Sequence, residues 1–441
     1  MNNVLGRKFT FASLLKFSMP SMIGMIFMSL YTIVDGIFVA RIIGTEAISA
    51  VNIVIPYAMV ACGIGVMLGT GGSAVIALNL GEGKKDEANR KFALIVIFGV
   101  AVGILFAVAS NIFASPIVRM LGASDVLFEN CLIYLRILTA FAPAYILQVM
   151  FQVFFVTAGH PGLGMFLTIL AGCVNAVCDY WFMAGLNMGI AGAAWATALG
   201  YIIQAVAGVV FFMKNKGLRF KRPVFEGKTI LKSCSNGSSE MVSNLAMSVV
   251  NLMFNWYMIK MAGEKGVAAI SIVLYAQFIF HSIYIGFSNG VAPVISYNYG
   301  EQNHIQLKRL YRICMKFILA VSVVACAGSL VFADPIASIF TGSDVETFNM
   351  AIRGIRIFAF SYLFAGINVF ASGFFTALSN GKISATISFM RTFVFVIIAF
   401  AILPFLLGID GVWLAVPVAE VLAFALSLLF MIRKRSFYHY I

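Results

Sequence analysis

Long, nearly unbroken apolar runs separated by short polar stretches dominate the chain. Runs long enough to cross a bilayer, about 20 residues as helix, fall near 15–40, 48–78, 92–116, 131–157, 165–184 and 190–213. After a polar stretch they resume near 238–260, 267–297, 313–333, 350–378, 383–407 and 411–432. The runs are continuous rather than alternating, which selects helices over strands. The pattern therefore predicts an all-α polytopic membrane protein with twelve transmembrane helices. The first run follows Arg7, Lys8 and Lys16 as a signal peptide's apolar region would. It is too long for one and lacks an A-x-A site, so it reads as a retained span.

Composition agrees: 61% of the 441 residues are hydrophobic and 11% charged, where soluble domains carry about 25% charged residues. A soluble enzyme, a secreted disulfide scaffold and a nucleic-acid binder are excluded. The net charge of +13 comes from loops on one side. The N-terminus, 79–91, 214–235, 299–316, 379–382 and the tail carry 22 Lys and Arg, against Arg41, Arg119, Lys260 and Lys265 opposite. Lys and Arg favour cytoplasmic loops, so both termini are expected in the cytoplasm and Gly342 outside, in a plasma (inner) membrane. The seven cysteines show no CxxC or Cys/His spacing, so neither a metal nor a cofactor is expected. There is no Walker A run, and His160, His281, His304 and His439 are scattered, which argues against a membrane-embedded enzyme. A monomer meeting membrane lipids and small molecules is expected.

The halves repeat. A shift of 219 residues lays IALNLGEGKKDEANR (76–90) over ISYNYGEQNHIQLKR (295–309), matching Asn79 with Asn298 and Gly81 with Gly300. Gly44 and Gly71 meet Gly263 and Gly290; at a shift of 220, Arg136 meets Arg356. Six spans per repeat relate the two by an axis along the membrane normal. The expected organisation is an N-terminal six-helix lobe (1–213), a basic cytoplasmic linker (214–235) and a C-terminal six-helix lobe (236–441).

Ionisable groups inside hydrocarbon cost about 2.5 kcal/mol or more and need a reason. Asp35 on span 1 follows Tyr31 by one helical turn, and Asp179 on span 5 follows Asn175 by one turn. Both spans run outward, which puts the acids at similar depth in the outer half of one lobe. Thr197 on span 6 and Tyr134 on span 4 complete a polar pocket. The 219 shift lays Phe254 over Asp35 and Ile398 over Asp179, so the scaffold is duplicated and the acids are not. Two such carboxyls resist simultaneous ionisation and titrate as a unit. Elsewhere, Arg391 and Glu420 either pair with each other or face a cavity, as does His281 on span 8 unless it is a satisfied interior histidine. Glu240 stands at the inner end of span 7, as an interfacial or capping residue or a buried acid. Asn251 and Asn255 share one face of that span, as cavity lining or as links between helices. Pro20 interrupts span 1 beneath Asp35 and is a candidate hinge.

At these residues the chain resembles the multidrug and toxic compound extrusion (MATE) family, in its DinF-like and MepA-like branch. The resemblance rests on two repeats of six spans, the GEG and GEQ loops after spans 2 and 8, and the GIAGAAWAT segment opening span 6. Pro20, Tyr31, Asp35, Tyr134, Asn175, Asp179 and Thr197 fit the DinF-type pattern in type and spacing, while Gln152 stands where that pattern often has Asn. Span 7 reads SNLAMSVVNLMFN, without the mid-span acid of NorM-type members. The resemblance implies a V-shaped two-lobe fold and an antiporter exporting amphipathic organic cations in exchange for H⁺ or Na⁺. It makes Asp35 the main ion-coupling acid and Asp179 its partner, with Tyr31, Asn175, Thr197 and Tyr134 around them. Gln152, Asn251, Asn255, His281 and Arg391 are then candidates for the substrate cavity. The alternative is a flippase or exporter of lipid-linked or polar metabolites, which would need several cavity cations; the chain offers Arg391 and the end-of-span Arg136 and Arg356.

Overall fold

A computed structural model describes residues 4–341 and 344–440; Gly342 lies outside them. The first half forms α1 (Phe11–Ile42), α2 (Thr45–Gly81), α3 (Lys85–Ile112), α4 (Ala114–Met120), α5 (Asp125–Ala140), α6 (Ala142–Thr157), α7 (Pro161–Tyr180) and α8 (Ile190–Lys214). The second forms α9 (Gly227–Gly300), α10 (His304–Val331), α11 (Ala333–Thr341), α12 (Val345–Ala359), α13 (Tyr362–Ala377), α14 (Gly381–Phe389), α15 (Phe395–Leu407) and α16 (Ile409–Tyr438). No strand occurs among the described residues. In hydrocarbon a spanning segment has to satisfy its own backbone, which a helix does.

Nine of these helices are long and apolar enough to cross a bilayer, and the pairs α5–α6 and α12–α13 each make one span bent by 56° and 50°. Breaking α9 at Gly263, where φ is +62°, brings the spans to twelve. Gly44 (φ +122°) makes the corresponding break between α1 and α2; only glycine adopts such angles freely. α9 starts at Gly227, inside the stretch read as linker, because Glu226 caps it: its carbonyl accepts the Thr229 N–H and its carboxylate the Thr229 hydroxyl. α1 stays helical through Pro20, so Pro20 makes no break here.

Both described termini lie at the end that carries the basic loops. Leu5 accepts a hydrogen bond from Asn298 (3.3 Å), and Tyr438 receives one from Asn380 (2.8 Å). At the opposite end the structure adds Arg353 and Arg356 to the basic residues counted from sequence, and both are neutralised there, by Asp410 and Asp334. Arg119 and Lys265 likewise pair with Asp125 and Glu346. Large apolar side chains face outward along the bundle, Phe405 at 90% exposure and Leu105 at 68%.

The halves meet through a shared apolar cluster, in which Phe9, Phe17 and Met22 join Phe287, Val291 and Phe374, and through close backbone contacts. A Cβ on Gly71 of α2 would collide with the Ser233 carbonyl, and one on Gly237 with that of Met67. Gly81 abuts the Tyr297 carbonyl and Gly300 that of Leu78. Because 78 and 81 correspond to 297 and 300 at the 219 shift, this last contact is exchanged with itself by the repeat. Asn79 and Asn298 complete it, each donating to the carbonyl four residues back at 2.7 and 2.8 Å. Farther along, Ser29 of α1 bonds Ser282 of α9 at 2.6 Å. The seam is thus tight toward the basic end.

Alanine at Gly71 should lower stability by about 1–3 kcal/mol through overpacking. Gly328→Ala, which meets nothing within 4 Å, should leave it unchanged. Thermal unfolding in detergent compares them; equal midpoints would show that the seam has slack.

Candidate functional site

Each half contains two apolar clusters with a polar layer between them. In the first half one cluster holds Val39, Tyr134, Met183 and Ala194, and the other Phe92, Phe151, Leu167 and Phe212. Between them α7 places Thr168, Asn175 and Asp179 on one stripe, and α8 places Thr197, Tyr201 and Gln204 on another. This spacing of three, four and seven residues keeps side chains on one helix face.

Asp179 is fully buried, and neither of its carboxyl oxygens has a hydrogen-bond partner. Asp35, half-buried on α1, faces it and has one orphaned buried oxygen of its own. Neither acid forms an ion pair among the described residues, and Arg136 points away, exposed. Tyr134 is buried with its hydroxyl against Thr197, whose own proton goes to the Ala193 carbonyl at 3.0 Å. One turn below the acids, a cavity is lined by Tyr31, Asn175, Thr197, Gln148, Thr168 and Gln204. Gly172 makes it possible: a Cβ there would strike the Phe27 ring at 2.6 Å and crowd Tyr31 at 3.3 Å. The six residues singled out for ion coupling are therefore brought together.

Sequence reasoning missed Gln148, Thr168, Tyr201 and Gln204. The signal was present as polar positions recurring at helical spacing with residues already chosen. Gln148 stands one turn before Gln152 and keeps a buried amide oxygen without a partner.

The other candidates lie elsewhere. Gln152 reaches the Met25 sulfur at 3.9 Å and shares a crevice between the halves with Pro20, Ser21 and Asn289. Asn251 and Asn255 are exposed beside Leu252 and Trp256, without side-chain hydrogen bonds among the described residues. His281 is half-buried on α9. Glu240 is no cap: it sits thirteen residues into α9 and lines an inter-half cavity with Thr70, Ser73, Asn289 and Thr376. Arg391 is not an open cavity cation. Its Nε meets Glu420 at 2.9 Å, both side chains 8% exposed. Asn368 donates to the other Glu420 oxygen at 2.7 Å and accepts from Ser427 at 2.9 Å.

The fixed 219 shift also needs correcting at Asp179. A π turn, which inserts one residue into a helix, stands at Met390–Val394 in the second half and at Trp181–Gly185 in the first. Between the two insertions the offset becomes 221, which lays Phe400 over Asp179. Ile398 is 47% exposed, whereas Phe400 is buried and packs edge-on against Phe254 at 4.8 Å. An aromatic pair thus occupies in one half the place of the acid pair in the other.

Comparisons with known proteins agree with this architecture. The MatE family model matches residues 20–181 and 240–401. The multidrug export protein MepA of Staphylococcus aureus (strain MRSA252) is 25% identical over 435 residues, covering 96% of this chain and 94% of that protein. A crystal structure of MATE in complex with MaL6 superposes with a TM-score of 0.93 at 22% identity over 99% of both chains. An outward-facing multidrug resistance MATE family transporter of the MOP superfamily gives 0.92 at 23% identity, again over 99% of each. The chain, matched by the family model in both of its repeats, belongs to the MatE family, the multidrug and toxic compound extrusion transporters.

Proposed function

We propose that the chain is a secondary active antiporter that exports amphipathic organic cations, multidrug efflux in character, in exchange for inward H⁺ or Na⁺. The observation that carries this reading is the pair of half-buried Asp35 and buried Asp179, which adjoins a polar cavity and has no cationic side chain to neutralise it among the described residues. A charge that the protein does not balance is balanced by something that comes and goes. Protons and organic cations both qualify, and competition for one anionic site is the thermodynamic core of antiport. The carboxyl, hydroxyl and amide oxygens also suit Na⁺, a hard cation. The export activity named for MepA supports the substrate class. Arg391, inside a span of the second half, is neutralised by Glu420 and is not free to hold a pyrophosphate there, which favours this reading over a lipid-linked flippase.

With the basic end in the cytoplasm of a plasma-membrane protein, the tight part of the seam would lie on the cytoplasmic side. Rocking of lobes 1–213 and 236–441 about that seam would then alternate access. A reporter fused after Lys228 should read cytoplasmic; an external reading would reverse the direction of transport assigned here.

Efflux of ethidium from energised inverted vesicles, with pH and Na⁺ gradients imposed separately, tests the activity and its coupling ion. Asp35→Asn and Asp179→Asn should abolish coupled efflux while thermal stability stays level or rises, since each removes an unpaired buried acid. Glu420→Gln should do the converse. It strands Arg391, costing about 3–5 kcal/mol, while the folded fraction still couples. Loss of stability in Asp35→Asn with coupling retained would make the acids structural.

Substrate affinity should weaken as pH falls, because each proton taken up by the pair removes the charge that holds the organic cation. The Asp35→Asn/Asp179→Asn double variant should flatten that slope. Calorimetry across roughly pH 5.5–8 reads it; affinity indifferent to pH but weakened by Na⁺ would replace the proton with sodium.

A further inference from the structure

A cavity of about 370 Å³ opens at the basic end of the second half, where the first turns of α9 approach the start of α14. Every polar group that the argument turns on is a donor. Lys228, Lys232 and Lys382 line it, exposed and without a carboxylate partner among the described residues. The nearest acid in sequence, Glu226, is bonded to Thr229. Asn236 lines the same cavity at 2% exposure; its Oδ1 accepts the Gly381 N–H at 3.1 Å, and its Nδ2 has no acceptor. The Ser379 hydroxyl, also lining it, is buried and without a partner. The N-terminus of α14 lies here as well, its Gly381 and Ile383 N–H groups held by the side-chain oxygens of Asn236 and Asn380. Gly381 lets the two helices touch, since a Cβ there would collide with the Ser235 carbonyl.

The repeat supplies a comparison within the chain. At an offset of 220, Ser379 corresponds to Gly159 and Lys382 to Gly162, and at the 219 offset of the first spans Lys232 corresponds to Ser13. In the first half that socket is covered by the chain itself: Gly159 packs against Val4, with 3.3 Å from its would-be Cβ to the Val4 Cβ. In the second half the equivalent segment, around Val224, cannot return. The linker is tied to the other half by Lys221 on Asp86 and by Phe220, whose ring lies tilted against that of Phe92 at 5.0 Å. Val224 and Phe225 are left 57% and 82% exposed, and Leu231, on the cavity rim, 72%.

We propose that this socket binds the phosphate-bearing headgroup of an anionic phospholipid. Orphaned donors and three lysines meet the phosphate, and Leu231, Val224 and Phe225 lie against the acyl region. Basic pockets between helices at the headgroup layer take such lipids. The assignment rests on the chain spanning a membrane and not on the direction or coupling of transport.

Native mass spectrometry of the full chain, released from nanodiscs of mixed phosphatidylglycerol and phosphatidylcholine, tests it. The wild-type protein should retain phosphatidylglycerol over phosphatidylcholine, and Lys228→Gln/Lys232→Gln/Lys382→Gln should lower that ratio roughly tenfold or more. Unfolding in pure phosphatidylcholine should be unchanged, because these lysines hold no partner in the fold. Lys382→Gln alone, read by the same ratio, serves should the triple variant not fold. Asp35→Asn should keep the wild-type ratio, which separates this site from the coupling site. An unaltered ratio in the lysine variants overturns the proposal. Stabilisation of lipid-free protein by inorganic phosphate equal to that by phosphatidylglycerol overturns the lipid in favour of a soluble anion.

Discussion

A carboxylate in an apolar interior demands a positive charge, and a protein meets that demand either with its own side chains or with a visitor. The two halves of this chain make opposite choices. In the second half Glu420 is held by Arg391 and Asn368, and the layer is neutral and saturated. In the first half Asp35 and Asp179 face each other with orphaned oxygens. Apolar clusters lie above and below the pair, and a polar cavity adjoins it.

Much of this was legible in the sequence because hydrocarbon is an unforgiving solvent. A backbone that must satisfy itself produces long helices, so apolar runs and spans coincide, although α3, α9 and α10 start seven to eleven residues ahead of their apolar runs. Ionisable residues are so scarce in such runs that Asp35 and Asp179 stand out unaided. Uncharged polar residues do not: Gln148, Thr168 and Gln204 look like any other interior amide or hydroxyl until the helices are packed. The Arg391–Glu420 contact joins residues 29 positions apart on neighbouring spans, and spacing alone left it undecided. Nor does a one-residue π insertion have a sequence signature. The one at Met390–Val394, added to the earlier step from 219 to 220, moved the counterpart of Asp179 from Ile398 to Phe400.

The duplication shows what a repeat conserves and what it frees. Backbone devices are kept in both copies: the positive-φ break at Gly44 and Gly263, and the asparagine that bonds its own helix at Asn79 and Asn298. These set the path of the chain, which both halves need. Side chains in the enclosed layers diverged, acid pair against Phe254–Phe400, self-filled socket against lysine-lined one. Scaffold and chemistry are separable here because the contacts that build the first are made largely by main chain.

The contact of Gly81 with Tyr297 and of Gly300 with Leu78 lies where the repeat maps onto itself, which makes it a fulcrum. Points near a fulcrum barely travel, so main chain can stay pressed against main chain while one half turns. Distance supplies the amplification. α2 runs 37 residues from that point, about 55 Å at 1.5 Å per residue. Each degree of rotation there displaces its far end by about 1 Å. Under the proposed rocking of the lobes, a small angular slip at two glycines would in this way be geared up at the far end of α2.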